Sequence, residues 1–270
     1  MCTSFTVRGN KTIVGMNFDS GDIDYKIVLK NNNEFVIMVN VKGKYFTSFG
    51  INSSGTFVND LMVDSNGKGS YKRQSKNRWI TTTLIENVLS EKIEINNLKN
   101  ILSEIEIVNS PFTSTHNMIV DKQGNVTIVE PGRKILHNKC DESPFYIMTN
   151  FALSDFEDKK IDEVEGIGAD RYKKTHQLLL NLEINDSIES CFNILEKVKQ
   201  DTGKFATNFS IVALPQDKLV FFSIKGDFEK RYVFSFEDLK IKTDKGFDEI
   251  KELSLPSTGI TLNDIQSNLG

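Results

Sequence analysis

Two runs of β-branched and aromatic residues, 3–7 and 12–16, flank the turn residues Arg8-Gly9-Asn10-Lys11 at the start of the chain, and this pairing constrains the fold of the remainder. A run–turn–run pattern of this kind reads as a β-hairpin. The first strand begins beside Cys2 and the second closes on Asn17-Phe18-Asp19, so a thiol and a carboxylate are brought to the same end of two paired strands. Once Met1 is removed, Cys2 is the first residue and its thiol lies a few bonds from its own α-amine. An amine titrating near ~8 and a thiol near ~8.5 exchange a proton almost without cost. An N-terminal amine acting as base for its own side chain is a known way to activate a nucleophile. Read alone, Cys2 is equally an ordinary small residue with no role.

Further strand signals fall at 35–41, 45–49 and 56–58, separated by Lys42-Gly43-Lys44 and Asn52-Ser53-Ser54-Gly55. The polar, glycine-containing stretch 64–77 reads as a long exposed loop, and such loops in compact domains are often functional. Helical spacing appears at 79–91 (Ile80, Leu84, Ile85, Leu89), with three threonines near its start as caps, and at 97–106 (Leu98, Ile101, Leu102, Ile105). Residues 117–120 and 126–130 form a second hairpin around 121–125, and 144–150 is a strand ending on an amide side chain. Two more helices are expected over 171–182 and 187–198, the second capped by Asp186 or Ser187. Strands return at 209–213, 219–224 and 232–236, and the tail beyond Asp238 is polar and carries no clear signal. Segregated hairpins and helical pairs predict an α+β fold, two antiparallel sheets between two helical layers, as a single domain over 1–270.

Composition excludes several classes. Hydrophobic residues are 39%, charged residues 26% and the net charge is −4, so nothing favours nucleic acid as a partner. No run approaches a membrane span, and the first twenty residues do not read as a signal peptide. Cys2, Cys140 and Cys191 cannot all pair within one chain, which predicts a reducing compartment, most simply the cytoplasm. The three histidines, His116, His137 and His176, have no metal-ligand spacing and read as structural or surface residues, so no metal or cofactor is expected. Cys140, in a polar loop, could be reactive, and Cys191 falls on an apolar helix face.

Met1-Cys2-Thr3, Asn17-Phe18-Asp19 and the block 118–151 (MIVDKQGNVTIVEPGRKILHNKCDESPFYIMTNF), with its hairpin and its Thr149-Asn150 ending, together resemble the choloylglycine hydrolases. These are linear amide C–N hydrolases that include bile salt hydrolase and penicillin V acylase. A related acyltransferase branch shares many of the same features. The resemblance implies the four-layer αββα sandwich of the N-terminal nucleophile hydrolases, a small-molecule amide substrate with an apolar acyl group, and no cofactor. It also implies roles. Cys2 is the nucleophile, Asp19 orients the liberated amine, Asn150 donates to the oxyanion, and Arg171 lies near the nucleophile. Taken singly, Asp19 is also a turn cap, Asn150 a strand-end amide and Arg171 a surface helix residue; their order around an N-terminal cysteine favours the catalytic set.

The chain departs from the family pattern at three places. Met16 stands where Gly-Arg-Asn-x-Asp would place an arginine, so no charge there lowers the thiol pKa or binds a carboxylate. For a second oxyanion asparagine after Gly50-Ile51-Asn52, Asn59 is the nearest candidate, although by counting Met62 falls at that place. Only the short stretch 151–170 separates Asn150 from Arg171, so the arm that builds the family's tetramer is expected to be absent, and an oligomer of another kind stays open. Hydrolysis through a thioester is the leading reading. Transfer of the acyl group to an amine, or a binding protein that keeps the fold without turnover, are the alternatives.

Overall fold

The computed structural model describes residues 1–182 and 187–270. The chain opens with β1 (Cys2–Arg8) and β2 (Thr12–Asp19), then runs through β3 (Tyr25–Lys30), β4 (Glu34–Val41), β5 (Lys44–Asn52) and β6 (Phe57–Met62). A short β7 (Arg78–Ile80) leads into α1 (Thr81–Leu89), followed by α2 (Leu98–Glu104) and β8 (Glu106–Val108). Next come β9 (Thr115–Val120), β10 (Val126–Val129), β11 (Ile135–Asn138) and β12 (Phe145–Met148), then α3 (Ala169–Leu180) and α4 (Ile188–Lys197). The last part holds β13 (Thr207–Leu214), β14 (Leu219–Ile224), β15 (Arg231–Ser235), β16 (Lys240–Lys245), β17 (Glu252–Ser254), β18 (Ile260–Thr261) and α5 (Leu262–Leu269).

These strands build two eight-stranded sheets. One has the order β12-β1-β2-β13-β14-β15-β16-β17 and the other β11-β10-β9-β6-β5-β4-β3-β18. Alternation along β1, β2 and β13 divides their side chains between two cores. Phe5, Val7, Ile13 and Val212 pack with Leu179 of α3 and Phe192 and Leu195 of α4. Cys2, Val14, Met16, Phe18 and Ile211 point the other way, against Phe35, Phe49 and Met118 of the second sheet. A third cluster joins Val36, Val58 and Ile119 of that sheet to Leu84, Ile85 and Leu102 of α1 and α2. The layers are therefore helix, sheet, sheet, helix, and strands covered on both faces explain why β2 is buried along its whole length.

Close packing fixes the first hairpin. Gly15 lies opposite Phe5, and a Cβ there would come within 2.4 Å of the Phe5 ring. Asn17, in the pattern that closes the hairpin, donates to the Leu195 carbonyl of α4 at 2.8 Å and accepts from Ser210 at 2.7 Å. It ties the sheet to the helical layer.

The structure corrects some local expectations. Trp79 and Ile80 are strand, not helix, because 78–80 pairs in parallel with 106–108 and Arg78 bonds Glu106 at 2.6 Å. Helix α1 begins at Thr81 with Ile80 at the cap position and no side-chain cap, and the Thr81 hydroxyl bonds Thr115 instead. Ser187 caps α4 by accepting from the Ser190 N–H; Asp186 lies outside the described residues. Strands β3, β11, β16, β17 and β18 and helix α5 add to the elements read from sequence.

The inter-sheet core is rich in rings. Phe222 stacks on Phe209 (5.2 Å) and Tyr232 (5.4 Å) and faces Phe35 of the opposite sheet (6.1 Å). Phe222→Ala is expected to lower unfolding stability by about 3–5 kcal/mol in denaturant titration, because rigid neighbours on both sheets cannot close the cavity.

Candidate active site

The site lies where β1 starts, between its two partners. Register sets the arrangement: Cys2 lies opposite Phe18 on β2, and Ser4 opposite Met148 on β12, so the chain just beyond β12 passes beside Cys2. Asp19 comes from one neighbour and Asn150 from the other. The Cys2 N–H donates to Asn150 Oδ1 at 2.8 Å, and the Met1 ammonium donates to the Asp19 backbone carbonyl at 2.7 Å.

Arg171 reaches this point from the first turn of α3. Its guanidinium donates to the Cys2 carbonyl, to Thr3 Oγ1 at 2.7 Å and to Asn150 Oδ1 at 2.8 Å, and lies 3.5 Å from an Asp19 carboxylate oxygen. Gly168 makes this approach possible. It is left-handed (φ 81°), and a Cβ there would sit 2.7 Å from Arg171 Nη2. Asn150 is oriented by its own network, because its oxygen takes two donors and its nitrogen donates to the Met62 carbonyl at 2.7 Å. The Asp19 carboxylate also accepts from Thr207 at 2.6 Å and Gln200 at 2.8 Å.

Four of the five residues singled out from sequence thus meet: Cys2, Asp19, Asn150 and Arg171. The fifth stands apart. Asn59 is fully buried, with its oxygen accepting from the Met118 N–H at 3.1 Å and its nitrogen 3.8 Å from Met16 Sδ. Met16 therefore lies in the inter-sheet core with Asn59.

Electrostatics follow burial. The Cys2 thiol is pushed up to about 11, mainly by burial; the N-terminal ammonium pulls it down, Asp19 raises it, and a hydrogen bond from the Asp19 backbone and the charge of Arg171 lower it. In the chain that carries Met1, the thiol is neutral. The Asp19 carboxyl is raised by burial against the opposing pull of Thr207, Arg171 and Gln200.

Sequence reasoning did not find the support behind Asn150. His116 is fully buried, with Nε2 2.8 Å from the Thr149 carbonyl and Nδ1 3.2 Å from Glu130. Glu130 accepts in turn from the backbone N–H groups of Leu153 (2.7 Å) and Ser154 (3.0 Å). Burial raises the Glu130 carboxyl, but His116 and Ser154 outweigh it and hold it below its ordinary value. The signal that could have found the pair is the second hairpin itself: Asn117 lies opposite Val129, so its register carries on to His116 and Glu130.

Cys2 opens onto a cleft of about 380 Å³. Five of the eight exposed large hydrophobic residues among those described gather there: Ile23, Phe46, Met62, Tyr71 and Phe112. Tyr71 and Gln74 come from the long loop at 64–77. Apolar side chains collected at one place mark a binding surface, whereas scattered ones would not. A second hollow, of about 400 Å³ and lined by Phe145, Tyr146, Phe156 and His176, contains none of the four site residues. Asp60, half-buried in the cleft wall, is pushed up to about 7 by burial, against hydrogen bonds from Thr115, Asn117 and Thr81.

No protein-family model matches this sequence, and no curated protein sequence matches it. Solved structures do. A mutant of conjugated bile acid hydrolase from Clostridium perfringens gives a TM-score of 0.60 at 15% identity, covering 95% of this chain and 98% of that one. Penicillin V acylase from Agrobacterium tumefaciens gives 0.61 at 16% identity, covering 96% of this chain and 93% of that one. Likeness at this identity shows the fold: the chain has the same α+β sandwich as these two structures. Among the described residues no helix is long and apolar enough to cross a membrane.

The Asp60 shift sets a pH dependence. Folded Asp60 keeps its proton up to about 7, whereas its ordinary value is 3.8. Between those values the native state binds the extra proton, so its contribution is present below the window and is lost as pH rises through it. Asp60→Asn removes this loss. Relative to wild type, the variant is expected to gain roughly 1–2 kcal/mol of unfolding stability between about pH 4 and 8, less than the full shift because the group meets cleft water. Urea titrations across that range check it.

Proposed function

We propose that this chain is an amidohydrolase acting on linear, non-peptide C–N bonds, with Cys2 as nucleophile after loss of Met1. The observation that carries the reading is the convergence of Cys2, Asp19, Asn150 and Arg171 at the end of an apolar cleft. The fold shared with two amide-cleaving enzymes supports it.

With Met1 in place, the Cys2 nitrogen is an amide. It has no basic lone pair, and Met1 itself lines the cleft. Removal of Met1 turns that nitrogen into an amine beside the thiol, with Asn150 Oδ1 as its hydrogen-bond acceptor and Asp19 and Arg171 around it. The thiol proton passes to the amine and Sγ attacks the substrate carbonyl. A second N–H of Asn150 and a backbone N–H stabilise the oxyanion, a contribution of about 3 kcal/mol for one such donor. The protonated amine then gives its proton to the departing nitrogen as the C–N bond breaks, leaving a thioester on Cys2. Water, deprotonated by the same amine, releases the acid and restores the thiol. Arg171 holds the Cys2 carbonyl and the Asn150 oxygen in place. Its charge is balanced by Asp19, so it acts as a positioning residue.

Intact-mass measurement tests the reading. The processed protein is expected to lack the mass of one methionine and, with an apolar acyl amide panel, to gain one acyl group on Cys2. Cys2→Ala should not acylate, and Asn150→Ala should lower kcat by about 100-fold, the loss expected for one oxyanion donor. Processed protein that never acylates across the panel points to a binding protein. Acyl transfer to an added amine in preference to water points to a transferase.

A further inference from the structure

The cleft is lined by Asp19 and Asp60 but by no lysine, arginine or histidine among the described residues. The cations near it are already engaged. Arg171 is bound behind Cys2, Lys30 bonds Thr47 and lies 3.8 Å from Glu86, and Lys42 sits 4.8 Å over the Phe112 ring at the rim. Apart from the chain-end nitrogen, which is held by the Asp19 carbonyl, an anionic substrate would meet no positive group in the cleft and would face Asp19 and Asp60.

Asp60 lies on β6 next to Asn59. Because successive side chains of a strand point to opposite faces, Asn59 faces the inter-sheet core and Asp60 the side of α1. There Asn117 donates to one of its oxygens at 3.0 Å, and Thr115 and Thr81 bond it as well. The carboxylate still faces the cleft, whose walls carry Phe18, Phe46, Tyr71, Phe112 and Phe205. Aromatic faces and a carboxylate together are the chemistry that binds an ammonium ion, and the Lys42–Phe112 contact shows a ring of this cleft already holding one.

We propose that the cleft selects an amide substrate that carries an ammonium group away from the scissile bond, with Asp60 as the residue that pairs with it. This rests on the amide-hydrolase reading of the same cleft and adds the charge class of its substrate. The raised Asp60 pKa fits this role, because burial penalises its charge and a bound cation offsets that penalty.

Calorimetric binding to the full chain carrying Cys2→Ala tests the proposal without turnover. The probes are 4-phenylbutylammonium, 4-phenylbutanol and 4-phenylbutyrate. The ammonium is expected to bind about tenfold or more tightly than the alcohol, the factor of one charge-assisted hydrogen bond, with the carboxylate weakest. Asp60→Asn should bring ammonium and alcohol within about twofold of each other. Equal binding of the three probes, no binding of the ammonium, or an unchanged ratio in Asp60→Asn overturns it. Should that variant fail to fold, the pH profile of the unsubstituted Asp60 decides. Thr115 and Asn117 from β9 and Thr81 from α1 face Asp60 and do not titrate in this range. Asp19 on the same cleft is raised to about 6 and does, so the profile is also taken in Asp19→Asn, where only Asp60 can carry it. The ammonium preference should therefore shrink between about pH 8 and about pH 5, and a flat ratio overturns the proposal. Failure of Cys2 to acylate would sink the hydrolase reading separately, since these binding ratios do not depend on it.

Discussion

The antiparallel pairing of β1 with β2 on one side and β12 on the other is the constraint on which the site depends. Register places Asp19 and Asn150 at opposite flanks of Cys2; the first hairpin brings Asp19, and only long-range pairing brings Asn150. Between these flanks sits a buried arginine, whose charge would be costly to bury alone. Arg171 is accommodated because the Cys2 carbonyl, Thr3, Asn150 and Asp19 all turn acceptors toward it. The carboxylate of Asp19 is secured in turn by Thr207 and Gln200, which belong to β13 and the segment before it. One strand pairing thus recruits a helix, a loop and a third strand to a single point.

The part of this that is legible in the sequence is the part that local chemistry writes. The first hairpin shows as two apolar runs around Arg8-Gly9-Asn10-Lys11, and α4 shows as a helical stripe that starts at a serine cap. The C-terminal strands are different. Lys240 to Lys245 alternates charged or polar residues with Ile241 and Thr243, a strand with one wet face near the sheet edge, so its composition reads as a polar tail. Trp79 and Ile80 read as helix because their apolar spacing runs on into α1. What holds them in a strand is parallel pairing with residues 106–108, and that is invisible locally. The His116–Glu130 pair follows from extending the register of the second hairpin, whereas the cleft-facing Asp60 depends on tertiary placement.

Asn59 shows how strand alternation decides which way a residue faces. An asparagine of the right kind lies close in the chain to the expected place, but strand alternation turns it into the inter-sheet core, where it meets Met16 and Met118. The position given by counting, Met62, is nearer the chemistry, since its carbonyl holds the Asn150 amide and its side chain lines the cleft. The Met62 carbonyl accepts from Asn150 and so orients that amide; it takes a different part from an oxyanion donor. Residue identity is the weaker guide and register the stronger.

Met16 and the chain end are linked by the same reasoning. A methionine sealed between the sheets brings no positive charge to the thiol, and Arg171 is largely balanced by Asp19. Burial then dominates and holds the thiol neutral, with the N-terminal ammonium as the strongest influence against it. That ammonium belongs to Met1 and is one residue removed from the sulfur. Loss of Met1 moves the same nitrogen chemistry onto Cys2 itself, where the shorter distance to the sulfur makes Coulomb attraction larger. In this reading activation of the nucleophile depends more heavily on the chain end than it would with an arginine at position 16, and processing of Met1 becomes the step that turns a buried thiol into a reactive one.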